Sequence, residues 1–458
     1  MTEVQELAQF VVTRDINDLS KEVIEQLKIR ILDSLGCAIG ALKGEPICLI
    51  RDHIDEFGGN PIACLIGGGK TAPDRAAFYN GALVRYLDFM DSYLAKGETC
   101  HPSDNLAPLL AAADYAHVGG KELLTALAMA YQIQCRLCDE APVRAKGFDH
   151  TTQGAYAIAA GVSKVLRLDQ EKTANAIAIS GTSNIALRVA RTGSLSHWKG
   201  LAYPNTAYIA THAAFLARRG ITGPLEVFEG NKGFKETISG PFTIDWPKED
   251  LERVNRTIVK KYNAEIHSQS AIEGTLELRA QHGFSGNEVE AVEIDIFDVA
   301  YHIIGGGEEG DKKSVRTKEE ADHSLPYMVA VALLDGELLP QQYAPQRIKK
   351  DDVQNLLQRV TVRENPSLSA RFPSELPCNV KIQLKDGQTF RIEKKDYEGF
   401  FTRPFSWEDI TKKFHQLAEP FASKEIRNKI VQIVHHIETV KIEDLTNLFS
   451  QINQEKKS

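Results

Sequence analysis

The sequence of 458 residues predicts a mainly α fold with a smaller α+β domain. Three observations lead there. From about residue 4 to residue 220, apolar residues recur at helical spacing almost without interruption. After Pro241 and Trp246 the texture changes to alternating, β-rich stretches separated by turn residues. From Trp407 onward amphipathic helix returns. The expected organisation is a large all-helical domain over residues 1–267, an inserted α+β domain over 268–402, and C-terminal helices over 403–458 that complete the helical domain.

The elements follow in order. Asp18-Leu19-Ser20-Lys21-Glu22 has the cap and acids of a helix start, and Leu27, Ile31, Leu32, Leu35 and Ile39 follow near helical spacing. Residues 79–87 and 106–113 read as buried helices flanking a polar stretch. Further helices are predicted over 121–138, 152–168, 171–191 and 205–219. Several are rich in Ala, Gly and Ser and apolar on most sides, as central, closely packed helices are. Strands are predicted over 290–297, 359–363, 379–385 and 388–393, the last two joined by Asp386-Gly387, which fits a primed turn. Helices over 323–334 and 351–358 interleave with them, and helices over 407–417, 423–437 and 442–451 close the pattern. The polar tail from Asn453 to Ser458 reads as frayed.

Composition narrows the function. A net charge of −8 excludes a general nucleic-acid binder, which needs a basic face, yet leaves room for an anionic substrate held by a few local cations. No apolar run approaches the roughly 18 residues that span a bilayer, and MTEVQELAQFVV has neither a basic leader nor a cleavage signal. The expectation is a soluble, cytoplasmic protein without membrane or nucleic-acid partners. Seven scattered cysteines, an odd number, read as reduced thiols. Cys135 and Cys138 sit in a helical pattern with no second close pair, so burial is favoured over a zinc or iron–sulfur site. Gly67-Gly68-Gly69-Lys70-Thr71 ends like a phosphate loop, but Cys64 stands where that motif needs its first glycine. A glycine turn between helices is the reading.

The chemistry-bearing residues are concentrated. Asp88, Asp91 and Ser92 precede His101, Ser103, Asp104 and Asn105, all between the two buried helices. Polar groups in such a place need partners or a ligand. His150 stands at the N-terminal edge of a small-residue helix, where an anion is favoured. His267 follows Glu265-Ile266 at a domain junction, and His323 opens a helix start with Tyr327 close behind. Singly, each histidine is as readily a cap or core residue as a functional one. Four at element boundaries weaken that bland reading. Lys199, beside Trp198 and Tyr203, falls in a loop; it is either exposed or a partly buried cation for a carboxylate.

The motifs LDFMDSYLAKGETCHPSDN (87–105), GFDHTTQGAYAIAAG (147–161), SHWKGLAYPNTA (196–207), the His267 segment and ADHSLPYMVAVALLDG (321–336) together resemble the MmgE/PrpD family. This family contains 2-methylcitrate dehydratases and cis-aconitate decarboxylases, and the likeness runs over about residues 5–445. The resemblance implies a homodimer with a helical domain, an α+β lid and an active site in the cleft between them. It implies a cofactor-independent enzyme without a metal, acting on a small tricarboxylate. Its catalytic positions fall on Asp88, Ser92, His101, His150, Lys199, His267 and Tyr327, with Asp91, Ser103, Asn105 and His323 as substrate-binding neighbours. Ser92 departs from the threonine of many relatives but keeps the hydroxyl. The run from His101 to Asn105 follows the dehydratase branch, so the expected reaction is dehydration of 2-methylcitrate, with citrate as a further candidate. On that expectation Lys199, His150 and His267 hold carboxylates, His101 transfers protons under orientation by Asp88 or Asp91, and Tyr327 reaches in from the lid. The rival readings are a cis-aconitate decarboxylase or epimerase of the same family, an iron–sulfur dehydratase, and a non-catalytic scaffold.

Overall fold

The structure is a computed structural model that describes residues 1–452; the tail expected to fray lies outside them. It is 59% helical and 9% strand, which is the mainly α fold with a small α+β part that the sequence predicts. The chain forms two compact units. One comprises Met1–Arg188, Gly200–Thr257 and the segment from Phe405 onward; the other comprises Val189–Lys199 and Ile258–Pro404. Among the described residues, no helix is long and apolar enough to cross a membrane.

In the first unit, helix Lys21–Gly40 starts where Ser20 Oγ accepts from Val23 N at 3.2 Å. Nearly all of its middle is buried, charged Arg30 and Asp33 included. Helix Trp407–Ala418 lies against it, so close at Gly36 that a Cβ would sit 3.3 Å from Phe414 Cα. Lys413 fastens the two, 2.7 Å from Asp33 Oδ1 and donating to the Phe89 carbonyl at 2.7 Å. Helices Pro73–Tyr86, Leu106–Ala116, Gly120–Glu140, Thr151–Val165 and Gln170–Ser183 make up the rest of this core. The last is shorter than its periodicity predicts. Asn184 closes it: its backbone N–H and its Nδ2 both donate to Ser180 O, the latter at 3.0 Å.

The glycine run at Gly67, Gly68 and Gly69 is a turn, but it joins two short strands, Ala63–Cys64 and Lys70–Thr71, rather than two helices. All three residues have φ between +85° and +101°, where a side chain would be strained. The Cys135 and Cys138 thiols pack with Cys100, Tyr93 and Ala95 in the core.

The second unit is built on a four-stranded sheet in the order Val360–Glu364, Val289–Ile296, Cys378–Leu384, Thr389–Lys394. The first pair is parallel and the other two are antiparallel. Val292, Ile294, Ile296, Val380, Ile382 and Leu384 alternate inward, and helices Gln269–His282 and Leu325–Asp335 pack with these strands. The hairpin turn differs from expectation. Leu384 N donates to Gln388 O and Gly387 N to Leu384 O, and only Gly387 of the loop has positive φ. That is a three-residue loop ending in a left-handed glycine, because Asp386 keeps an ordinary backbone that a primed turn would not allow.

Candidate active site

In the first unit the site begins where helix Pro73–Tyr86 ends. Asp88 turns the chain with φ +53°, a left-handed conformation that aspartate enters more readily than most residues. The strands Tyr93–Leu94 and Thr99–Cys100 then pair antiparallel with Tyr93 opposite Cys100. One step further, that register sets Ser92 beside His101. Ser92 Oγ accordingly lies 3.0 Å from His101 Nδ1, and Nδ1 lies 2.9 Å from the backbone oxygen of Asp91. A carbonyl oxygen only accepts, so Nδ1 carries the proton and, in the neutral ring, Nε2 carries the lone pair.

His101 Nδ1 is therefore held by the Asp91 main chain rather than by the Asp91 carboxylate. The Asp91 carboxylate is engaged elsewhere: Oδ1 accepts from Ser103 N at 3.0 Å and Oδ2 from Tyr131 OH at 2.8 Å. Burial holds this carboxyl above the usual range, against the smaller opposing effects of Ser103, Arg30 and Tyr131. His150 lies just ahead of helix Thr151–Val165, its ring centroid 5.5 Å from that of His101 and 6.0 Å from that of Tyr203. Asn105 donates to Pro102 O at 2.9 Å and Gln134 Oε1 at 2.7 Å, and accepts from Tyr203 OH at 3.0 Å. Asp91 and Asn105 thus spend their polar atoms on the protein and shape the site. Gly154 makes room for this: a Cβ there would fall 2.5 Å from the Tyr203 ring.

Sequence reasoning missed Arg85, buried between two acids at 3.9 Å from Asp88 Oδ1 and 3.6 Å from Asp104 Oδ2. The available signal was its i, i+3 spacing to Asp88. Tyr131 was missed as well, hidden in an apolar helix.

The second unit holds a cluster of its own. Lys199 lies in the first turn of helix Trp198–Arg218 rather than in a loop, and it is 4% exposed. Its Nζ donates to Asp322 Oδ1 at 2.7 Å and sits 2.9 Å from His323 Nδ1, while Lys318 Nζ donates to Asp322 Oδ2 at 2.7 Å. Burial alone would raise the Asp322 carboxyl, but Lys199, Lys318 and His323 hold it well below the usual range. Lys199 is thus already ion-paired.

His267 lies in the short turn Ile266–Ser268, where Glu265 grips it twice. One carboxylate oxygen lies 2.7 Å from Nδ1, and the other accepts the His267 main-chain N–H at 2.8 Å. Burial would raise the Glu265 carboxyl, yet the His267 ring, with His323 and Lys260, brings it down to about 2. The His267 Nε2 is buried with no hydrogen-bond partner among the described residues. Glu265, which sequence reasoning passed over, is marked only by its place two residues before His267. Tyr327 is different. Its hydroxyl donates to the Gln342 carbonyl, with Arg347 and Asp335 as charged neighbours.

The structure therefore gathers Asp88, Asp91, Ser92, His101 and His150 in one unit, and Lys199, His267 and His323 in the other. Tyr327 directs its hydroxyl to neither group. Within either unit taken alone, no three His, Cys, Asp or Glu side chains among the described residues bring ligand atoms close enough for a metal ion.

A model of the MmgE/PrpD N-terminal domain matches residues 5–247, and one of the MmgE/PrpD C-terminal domain matches residues 262–439. The chain belongs to the MmgE/PrpD family. It is 28% identical over 422 residues to the 2-methylcitrate dehydratase of Escherichia coli (strain K12), covering 86% of this chain and 85% of that one. To the 2-methylcitrate dehydratase of Cupriavidus necator it is 29% identical over 365 residues, covering 75% and 73%. To the cis-aconitate decarboxylase of Mus musculus it is 26% identical over 449 residues, covering 92% and 88%. These MmgE/PrpD relatives carry the names of lyases, and the chain is a lyase of the same family.

Proposed function

We propose that this MmgE/PrpD lyase is a hydro-lyase that dehydrates 2-methylcitrate, and citrate less well, to the corresponding cis-aconitate. The observation that carries the reading is the His101 ring, whose Nδ1 is pinned to the Asp91 carbonyl so that Nε2 is the basic nitrogen. Dehydration breaks a C–H bond beside a carboxylate and a C–O bond on the neighbouring carbon; the proton goes to a base and the hydroxyl leaves as water. In this reading His101 Nε2 takes the proton. His150 donates to the departing hydroxyl, and Arg85 faces the carboxylate charge that builds up. Lys199 acts through Asp322 and His323, and Asp88 and Ser92 position the guanidinium and the base. Ser103 and Asp91 shape the hairpin, and Tyr327 supports the helix behind His323. Names among the relatives supply the substrate class.

The test is a substrate panel of 2-methylcitrate, citrate and cis-aconitate on the purified chain, following enoate absorbance and carbon dioxide release separately. Enoate formation from 2-methylcitrate without carbon dioxide supports dehydration. Carbon dioxide release from cis-aconitate alone supports decarboxylation, the reading favoured by the relative from Mus musculus that covers 92% of this chain.

A further inference from the structure

We propose that Lys312 and the cavity beside it form a carboxylate-binding subsite in the second unit. The cavity measures about 240 Å³ and is lined by Ser194, Ser314, Lys312 and three acids, with Gly193 and Gly310 exposing main chain between them. On the volume each water takes in the liquid, it has room for roughly eight waters, more than a single ion needs. Lys312 is 8% exposed, and among the described residues its ammonium has no ion pair and no hydrogen bond. A buried ammonium in that condition is costly, so an anion that reaches its Nζ directly is favoured there.

The acids around it do not fill that need. Asp311 Oδ1 accepts from Lys313 N at 2.9 Å, and Glu320 Oε2 accepts from Arg316 N at 2.8 Å and Thr317 N at 3.1 Å. Both are spent on their own loop and helix start. Glu309 and Glu265, with Asp311, are near enough to be felt by Lys312, but none pairs with it among the described residues. Burial pulls the Lys312 pKa below its ordinary value, and neighbouring Lys199 adds to this. The main chain is anchored where the cation is needed: Lys312 O accepts from Ser324 Oγ, the cap of helix Leu325–Asp335 that follows Asp322 and His323. Lys199 and Glu265 both lie within electrostatic reach of Lys312, so the subsite adjoins the cluster assigned above. That the anion is a carboxylate of the substrate rests on the lyase reading. It also shifts the carboxylate-holding role expected of Lys199, which is paired with Asp322, to Lys312, which has no ion pair among the described residues.

Tricarballylate, a tricarboxylate without a hydroxyl to lose, is the probe, titrated calorimetrically into the full chain. Lys312→Met is expected to weaken its binding about tenfold or more, and Lys312→Arg to restore most of it. At about pH 9, binding to the native chain should draw in protons, seen as a dependence on buffer ionisation heat that Lys312→Met abolishes. Should Lys312→Met fold poorly, Lys312→Gln serves the same comparison. Unchanged affinity in the folded variants, or proton uptake that persists in them, overturns the subsite. A chain that binds tricarballylate through Lys312 but does not turn over 2-methylcitrate keeps the subsite and removes the dehydratase reading. Turnover with unchanged tricarballylate affinity does the reverse.

Discussion

Asp91 in the helical unit and Asp322 in the smaller one are both fully buried carboxylates, yet they are held on opposite sides of the ordinary carboxylate range. Asp91 is met by neutral donors, a main-chain N–H and a tyrosine hydroxyl. Asp322 is met by two ammonium groups and an imidazole. Burial is common to both, so the charge of the partner decides the direction. The helical unit uses its acid to shape a hairpin that presents a base. The smaller unit uses its acids to hold cations and imidazoles in place.

The largest effect should come from removing the presented base. His101→Ala is expected to lower kcat for 2-methylcitrate by about 10²–10⁴-fold, with an unchanged far-ultraviolet circular dichroism spectrum. Turnover near the native rate would end its assignment as the base. Next is the paired acid. Asp322→Ala leaves buried Lys199 and half-buried Lys318 without their anion and should cost about 3–5 kcal/mol by denaturant unfolding, whereas Asp91→Asn, opposite neutral donors, should cost about 1–2 kcal/mol. Equal losses would erase the contrast between the two acids.

Acid titration sharpens the same comparison. Glu265 has its pKa depressed from 4.5 to about 2, so its contribution is present above pH 4.5 and lost as pH falls towards 2. On that displacement it is worth on the order of 3 kcal/mol, and Glu265→Gln should flatten the acid limb of the stability curve. Asp91, displaced upward, has the opposite sign: its proton stabilises the fold at low pH, and that stabilisation is lost as pH rises through its elevated pKa. Asp91→Asn should remove that fall. The smaller effects are steric and local. Gly154→Ala should cost about 1–3 kcal/mol because the Tyr203 ring must move, and Ser324→Ala about 1 kcal/mol through loss of a helix cap.

Much of the fold could be read from periodicity. The helix Asp351–Gln358 and the strands around Val292 and Ile382 follow directly from spacing, because each element buries one face and its pattern repeats. Turn geometry was harder, since Asp386-Gly387 suits two loop lengths and hydrogen bonds between strand ends choose between them. Site chemistry was legible only as residue types. That the Asp91 carbonyl rather than its carboxylate holds His101 Nδ1 follows from the register of a two-residue strand pair, which no spacing rule reports. Lys312 in Gly310-Asp311-Lys312-Lys313-Ser314 reads as a solvated charge run. Its main chain is instead tied into the fold by Ser324, twelve residues further along, whose hydroxyl donates to the Lys312 carbonyl.

The salt link between Lys413 and Asp33 has a bearing on biosynthesis. Helix Trp407–Ala418, made long after helix Lys21–Gly40, completes the packing of that helix, so the earlier one must wait with an apolar groove uncovered. Emergence of residues 407–418, rather than of any earlier segment, then sets when this helix becomes resistant to proteases.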